Sequence, residues 1–310
     1  MASLHDSAVL LGAQDKPPGR FVTAAGVPVH YVMHGRGRPV IYIHGAKSSV
    51  FDFLLSLADR VAARYTAVAF DRPGAGFSGR AAQDGGSPQA QAAVLRAAAA
   101  ELGLLRPILV GHSLGAAVAL AWALDAPGEV AAVVTLGGYV LPLGGPPPWV
   151  VAAARSRTML RALGGIGRSR LGRPLVDSVL RRVFFPDPPP ADYARLAPAL
   201  ALDEARLVND GEDRKSAEAG LRALEARYGD LDLPVVIVVG EQDRVVPPRS
   251  SFELHRALPH SELVSLTATG HMPQFTRPDA VMAAVDRAAD LSAATFASPS
   301  APAYHPLRSR

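Results

Sequence analysis

The apolar positions of this chain gather into short, nearly unbroken runs separated by amphipathic stretches. Pro39-Val40-Ile41-Tyr42-Ile43-His44, Thr66-Ala67-Val68-Ala69-Phe70, Ile108-Leu109-Val110, Val130 to Leu136 and Pro234 to Val239 show little polar alternation. Strands covered on both faces read this way. Between them, Phe51 to Arg64 and Pro88 to Leu102 carry apolar residues at helical spacing, the second with Ser87 as N-cap before a proline at the first helical position. Phe21-Val22-Thr23 and Val29 to Met33 predict a hairpin around a turn bearing Gly26. Leu263-Val264-Ser265-Leu266 predicts a last strand, and Pro278 to Leu291 a last helix. Strands alternating with helices predict an α/β fold: a mostly parallel twisted sheet with helices on both faces.

The alternation breaks between Tyr139 and Asp230. That stretch has no good strand run, is punctuated by Pro146-Pro147-Pro148 and Pro186-Asp187-Pro188-Pro189-Pro190, and looks helical over 150–163, 174–185 and 203–228. It reads as a helical cap inserted into the sheet domain. The predicted organisation is a flexible arm over 1–20, a core of 21–138 and 231–291, a cap of 139–230 and a disordered tail over 292–310, where Pro299, Pro302 and Pro306 fall.

Length and composition agree with one large α/β domain carrying an insertion. The chain has 310 residues, 49% hydrophobic and 19% charged, enough apolar content for a sizeable core. With no cysteine, disulfides, thiolate metal sites and a cysteine nucleophile are excluded. Residues 1–16 lack a basic region before an apolar core, and the longest apolar stretch, Val130 to Gly145, is short and broken. The expectation is a cytoplasmic protein with no stable membrane insertion. The net charge of +4 is modest, and no nucleic-acid motif or metal-ligand spacing appears. Gly35-Arg36-Gly37 precedes a strand rather than a helix, so it is not a dinucleotide loop. The many arginines between Arg155 and Arg182 read as the wet face of cap helices, and Lys47 as a solvated lysine.

The chemistry centres on Gly111-His112-Ser113-Leu114-Gly115. An apolar strand ends at Val110, and Ala116 to Leu124 reads as a helix. Strand, Gly-x-Ser-x-Gly turn and helix are the order of a nucleophile elbow. The glycines let backbones approach closely, and the N–H of Leu114 points toward a developing oxyanion. Later strands end at Gly240-Glu241-Gln242-Asp243-Arg244-Val245-Val246-Pro247 and Thr269-Gly270-His271-Met272-Pro273. His44-Gly45 and Asp71-Arg72-Pro73-Gly74-Ala75-Gly76-Phe77-Ser78 complete the set.

On these motifs the chain resembles α/β-hydrolase-fold serine hydrolases over residues 21–291, with the cap the loosest part. The resemblance implies Ser113 as nucleophile, His271 as base and Asp243 as the acid, in the family's chain order, with Glu241 the nearest rival carboxylate. It implies an oxyanion hole from the backbone N–H groups of Ala46 and Leu114, and no cofactor. Lys47-Ser48-Ser49 departs from the family in lacking a glycine often found there. Asp71 and Arg72 brace neighbouring loops rather than take part in chemistry. The implied reaction is cleavage of a small, mostly apolar carboxylic ester or lactone through an acyl-enzyme, with a small-molecule substrate as partner. Serine at the elbow argues against the dehalogenase and epoxide-hydrolase branches, which carry aspartate there. Carbon–carbon bond hydrolases and cofactor-free haloperoxidases use the same triad, and a ligand-sensing module with little turnover keeps it too. The sequence leaves these open, along with oligomeric state.

Overall fold

The fold rests on a computed structural model describing residues 17–80, 85–144, 165–166, 169, 171–201 and 204–297. Residues 1–16 of the expected arm, 298–310 of the expected tail, and the cap residues Trp149, Arg155, Arg157, Met159, Arg161, Arg168 and Arg170 lie outside them.

One eight-stranded sheet organises the chain, in the order β1-β2-β4-β3-β5-β6-β7-β8. The strands are β1 (Arg20–Ala24), β2 (Val27–Gly35), β3 (Pro39–Ile43), β4 (Thr66–Phe70), β5 (Ile108–His112), β6 (Ala132–Leu136), β7 (Val235–Gly240) and β8 (Ser261–Leu266). β2 runs antiparallel to β1 and β4, and the remaining pairs are parallel. The predicted α/β architecture is the one observed.

The helices are α1 (Phe51–Leu54), α2 (Ala58–Ala62), α3 (Pro88–Glu101), α4 (Leu114–Asp125), α5 (Arg173–Phe184), α6 (Ala191–Ala201), α7 (Glu204–Glu225), α8 (Arg249–Ala257), α9 (Pro273–Thr276) and α10 (Pro278–Ala297). The Ser87 hydroxyl accepts from the Ala90 N–H at 3.2 Å, capping α3 as predicted. The single helix expected over 51–64 is two: the Ser56 hydroxyl donates to the Asp52 carbonyl, a side-chain bond that competes with continued helix. The last helix runs past Leu291 to Ala297, where the tail was expected to begin at 292. Ser292 is fully buried, accepts from Arg38 Nη1 at 2.6 Å and donates to the Ala289 carbonyl, which ties that turn down.

Strand side chains alternate between two apolar layers. Ile41, Ile43, Val68, Phe70, Leu109 and Val133 pack with α3 and α4 on one face, and Val40, Tyr42, Ala67, Ala69, Val110 and Val134 with α1, α2 and α10 on the other. α4 is buried along Leu114 to Leu124. A helix apolar all round must be enclosed, and α3 and α7 cover it. β6 and β7 are hydrogen-bonded neighbours, so the chain between them leaves and rejoins the sheet at one place. Among the described residues, no helix is long and apolar enough to cross a membrane.

Candidate active site

β5 ends in the elbow. Ser113 has φ 51° and ψ −120°, a left-handed conformation costly for a residue with a Cβ. The surrounding backbone enforces it: the Ser113 N–H donates to the Leu136 carbonyl at 2.9 Å, and its own carbonyl accepts from Ala116 and Tyr139 N–H, each at 3.0 Å. A Cβ on Gly111 would stand 2.4 Å from the Gly115 carbonyl oxygen, so only glycine lets strand and helix meet there. A Cβ on Gly115 would stand 2.1 Å from the Ile43 carbonyl oxygen. Gly115 therefore docks α4 against the end of β3, a contact beyond its own strand–helix corner.

His271 and Asp243 come together from the loops after β8 and β7. His271 Nδ1 lies 2.7 Å from Asp243 Oδ2, while Asp243 Oδ1 accepts from the Val245 and Val246 N–H groups at 2.7 and 2.9 Å. A carboxylate only accepts, so Nδ1 carries the proton and Nε2 keeps its lone pair; this tautomer is inferred from the bonding pattern. Glu241 is placed elsewhere: its carboxylate accepts from the Ser265 hydroxyl at 2.9 Å on the exposed surface. Ser113, Asp243 and His271 are all buried. His112 links the elbow to His271. Its ring packs 4.8 Å from the His271 ring, and its Nε2 donates to the His271 carbonyl at 2.9 Å. Burial, then the repulsion that a second charge beside His271 would meet, holds the His112 pKa well below its ordinary value, so this imidazole is neutral.

The loop after β3 lies against Ser113: a Cβ on Gly45 would sit 3.0 Å from Ser113 Cβ. Ala46 is in that loop, and Leu114 is the first residue of α4. Both nitrogens of His44 are engaged: Nδ1 donates to the Gly45 carbonyl at 2.8 Å and Nε2 accepts from the Arg72 N–H at 3.0 Å. His44 thus holds the loop. Asp71 has the same structural character. Its carboxylate takes the Val50 and Phe77 N–H groups and His30 Nδ1, and a Cβ on Gly76 would fall 1.9 Å from its Cγ.

Some site residues escaped the sequence reading. A Cβ on Gly137, just past β6 at φ 51°, would lie 3.2 Å from both Asp243 Oδ2 and His271 Nδ1. Its signal was a glycine pair at a strand end. Asp52 stands buried on α1 between Phe51 and Phe53, a charge flanked by apolar neighbours. Tyr193 of α6 lies near its carboxyl, and the Tyr193 ring packs edge-on to Phe184 and Phe275 at 5.1 Å each. Asp52 Oδ2 faces His112 Nδ1 at 3.9 Å, and neither atom has a hydrogen-bond partner among the described residues.

Burial pushes the Asp52 carboxyl from 3.8 up to about 6. The folded chain therefore holds this proton more tightly than the unfolded chain. That contribution is full below the unfolded value and is lost as pH rises through about 6. Above it, the buried carboxylate costs on the order of 1–3 kcal/mol. Asp52→Asn is expected to raise the urea midpoint at pH 8, with the gain shrinking toward pH 4. An equal shift at both pH values would count against a titrating buried carboxyl.

Among the described residues, no cluster of His, Cys, Asp or Glu is arranged to hold a metal. The sequence profile of the Alpha/beta hydrolase family matches residues 40–284. Among relatives, RutD of Escherichia coli O81 (strain ED1a), provisionally named a carbamate hydrolase, is 28% identical over 221 residues, spanning 69% of this chain and 77% of its own. The esterase EaEST from Exiguobacterium antarcticum superimposes with a TM-score of 0.69 at 19% identity, over 87% of this chain and 99% of that one. The 2-hydroxy-6-oxo-6-phenylhexa-2,4-dienoate hydrolase BphD from Rhodococcus sp. strain RHA1 gives 0.71 at 23% identity, over 87% and 98%. At these identities the two structures speak to the fold.

Proposed function

The chain belongs to the alpha/beta hydrolase family and is a hydrolase; on that premise we propose that it cleaves a small, mostly apolar carboxylic ester or lactone through a serine acyl-enzyme. The carrying observation is the Asp243–His271 pair, joined through His112 to a serine held in a strained elbow. Ser113 Oγ attacks the carbonyl carbon. His271 Nε2 takes the hydroxyl proton and passes it to the leaving oxygen. Asp243 fixes the tautomer and offsets the charge of the imidazolium. The Ala46 and Leu114 N–H groups receive the oxyanion. Water, deprotonated by the same His271, then releases the acid and restores Ser113.

The test is turnover of matched substrates: short p-nitrophenyl esters, a γ-lactone, an alkyl carbamate and 2-hydroxy-6-oxo-6-phenylhexa-2,4-dienoate. The esters or the lactone should be cleaved fastest. Cleavage of the dienoate alone would move the reaction to carbon–carbon bonds, carbamate alone would move it to that class, and no turnover would favour a ligand-sensing module.

The segment before β7 supports a roofed site. A Cβ on Gly270 would fall 1.7 Å from the Phe185 carbonyl oxygen, so the end of α5 presses on the loop that carries His271. The Phe185 ring itself stacks on the Arg244 guanidinium, whereas Phe184 and Tyr193 pack with Phe275. Tyr193→Ala should shift relative kcat/KM toward longer acyl chains by about tenfold, the scale of a methylene or two in an apolar pocket, with probe labelling of Ser113 intact. An unchanged chain-length profile would place the acyl group elsewhere.

A further inference from the structure

We infer that Asp213, on the long helix α7 of the inserted segment, is a positioning residue for the oxyanion loop, acting through the buried guanidinium of Arg72. The inference rests on the oxyanion role proposed for Ala46.

Arg72 is fully buried yet permanently charged. Its Nε donates to the His44 carbonyl at 2.9 Å and its Nη2 to the Gly45 carbonyl at 3.0 Å, while its backbone N–H meets His44 Nε2. The peptide units leading into Ala46 are therefore clamped by one side chain. The far side of the guanidinium faces the insertion. Nη1 donates to Gln91 Oε1 at 2.7 Å and lies 3.6 Å from Asp213 Oδ2. Gln91 Nε2 donates in turn to Asp213 Oδ2 at 3.2 Å, closing a triangle, and Arg80 Nη1 donates to Asp213 Oδ1 at 3.2 Å. Asp213 is itself buried, and the chain makes room for it: a Cβ on Gly86 would lie 2.8 Å from its Oδ1.

A buried cation stays where its counter-charge is. With α7 seated, Asp213 balances Arg72 and its remaining donors hold the His44 and Gly45 carbonyls. With α7 displaced, Arg72 is left buried without its counter-charge and the clamp loosens. Seating α7 and ordering the oxyanion loop are thus coupled, and coupling of this kind is reciprocal. Substrate contacts that seat the helix would strengthen the loop for the chemical step.

Asp213→Asn keeps the shape and removes the charge. Losing one oxyanion donor outright costs about 10²- to 10³-fold in kcat; a loosened one should cost about 10- to 100-fold, with KM for a short p-nitrophenyl ester within about twofold, since the loss is specific to the transition state. Amide hydrogen exchange over residues 44–48 should quicken in the variant. Asp213→Glu should recover part of kcat. Arg80→Ala, which removes one partner of Asp213 but leaves its charge beside Arg72, should stay within about threefold of wild type. If Asp213→Asn does not fold, Arg72→Lys takes its place: it keeps a cation for Asp213 but cannot span two carbonyls, so exchange should quicken over 44–48 and not over 204–225. Unchanged kcat per folded molecule, or unchanged exchange over 44–48, overturns the coupling. A wild-type protein without ester turnover would overturn the proposed function, while the exchange measurement still decides the coupling.

Discussion

Ser113→Ala is expected to lower ester turnover by about 10⁶-fold and to abolish labelling by a fluorophosphonate probe. The size follows from the role proposed for the hydroxyl: without it there is no acyl-enzyme, and the proposed base and oxyanion donors act on a substrate that only water can attack. Background catalysis of about 10³- to 10⁴-fold over water should survive from binding and the oxyanion hole. Folding should be intact, because alanine fits the space of serine and keeps the backbone bonds to Leu136, Ala116 and Tyr139. The elbow strain supplies an internal control. At φ 51° any Cβ is strained, so Ser113→Gly should be more stable than Ser113→Ala by about 1 kcal/mol while equally inactive. Full labelling retained in the alanine variant would remove Ser113 as nucleophile.

Asp243→Asn should cost about 10³- to 10⁴-fold in turnover with the circular dichroism spectrum unchanged. An amide in that place can hold His271 in the wrong tautomer and leaves the imidazolium unbalanced. Glu241→Gln should change turnover less than about tenfold, since an exposed carboxylate bonded to Ser265 exerts a solvent-screened field. The two positions are separated by a single residue in the sequence, so the pair of variants discriminates between them in one experiment. The reverse ranking would mean that the β7 loop adopts another geometry when substrate is bound.

The strands and the elbow were legible because both are local. A buried parallel strand is a continuous apolar run, and the elbow is a fixed spacing of glycine and serine between strand and helix. Pairing Asp243 with His271 took chain order from a family resemblance. The structure supplies the physical reason: Gly240 pairs with Leu266, so the loops leaving β7 and β8 emerge side by side. What stayed hidden depends on tertiary burial. α8 escaped because Ser250 and Ser251 occupy its buried face along with Leu254, which blurs the apolar period. α6 lies next to a run of prolines that read as loop. Asp52 and Asp213 look in the sequence like ordinary surface acids; only packing reveals one beside His112 and the other on the buried side of α7 against Arg72.

Because β6 and β7 are neighbours in register, with Leu136 opposite Val238, no described residue between Gly138 and Leu231 adds a strand to the sheet, and they form a detour that it does not need. Such a detour can be exchanged by recombination as a unit, leaving Ser113, Asp243 and His271 on loops at the ends of strands the exchange does not touch. New specificities would then arise by splicing rather than by point mutation. Arg72 sets the compatibility rule for any graft: the incoming segment must bring a carboxylate to the place of Asp213, or the host must give up its buried arginine at the same time.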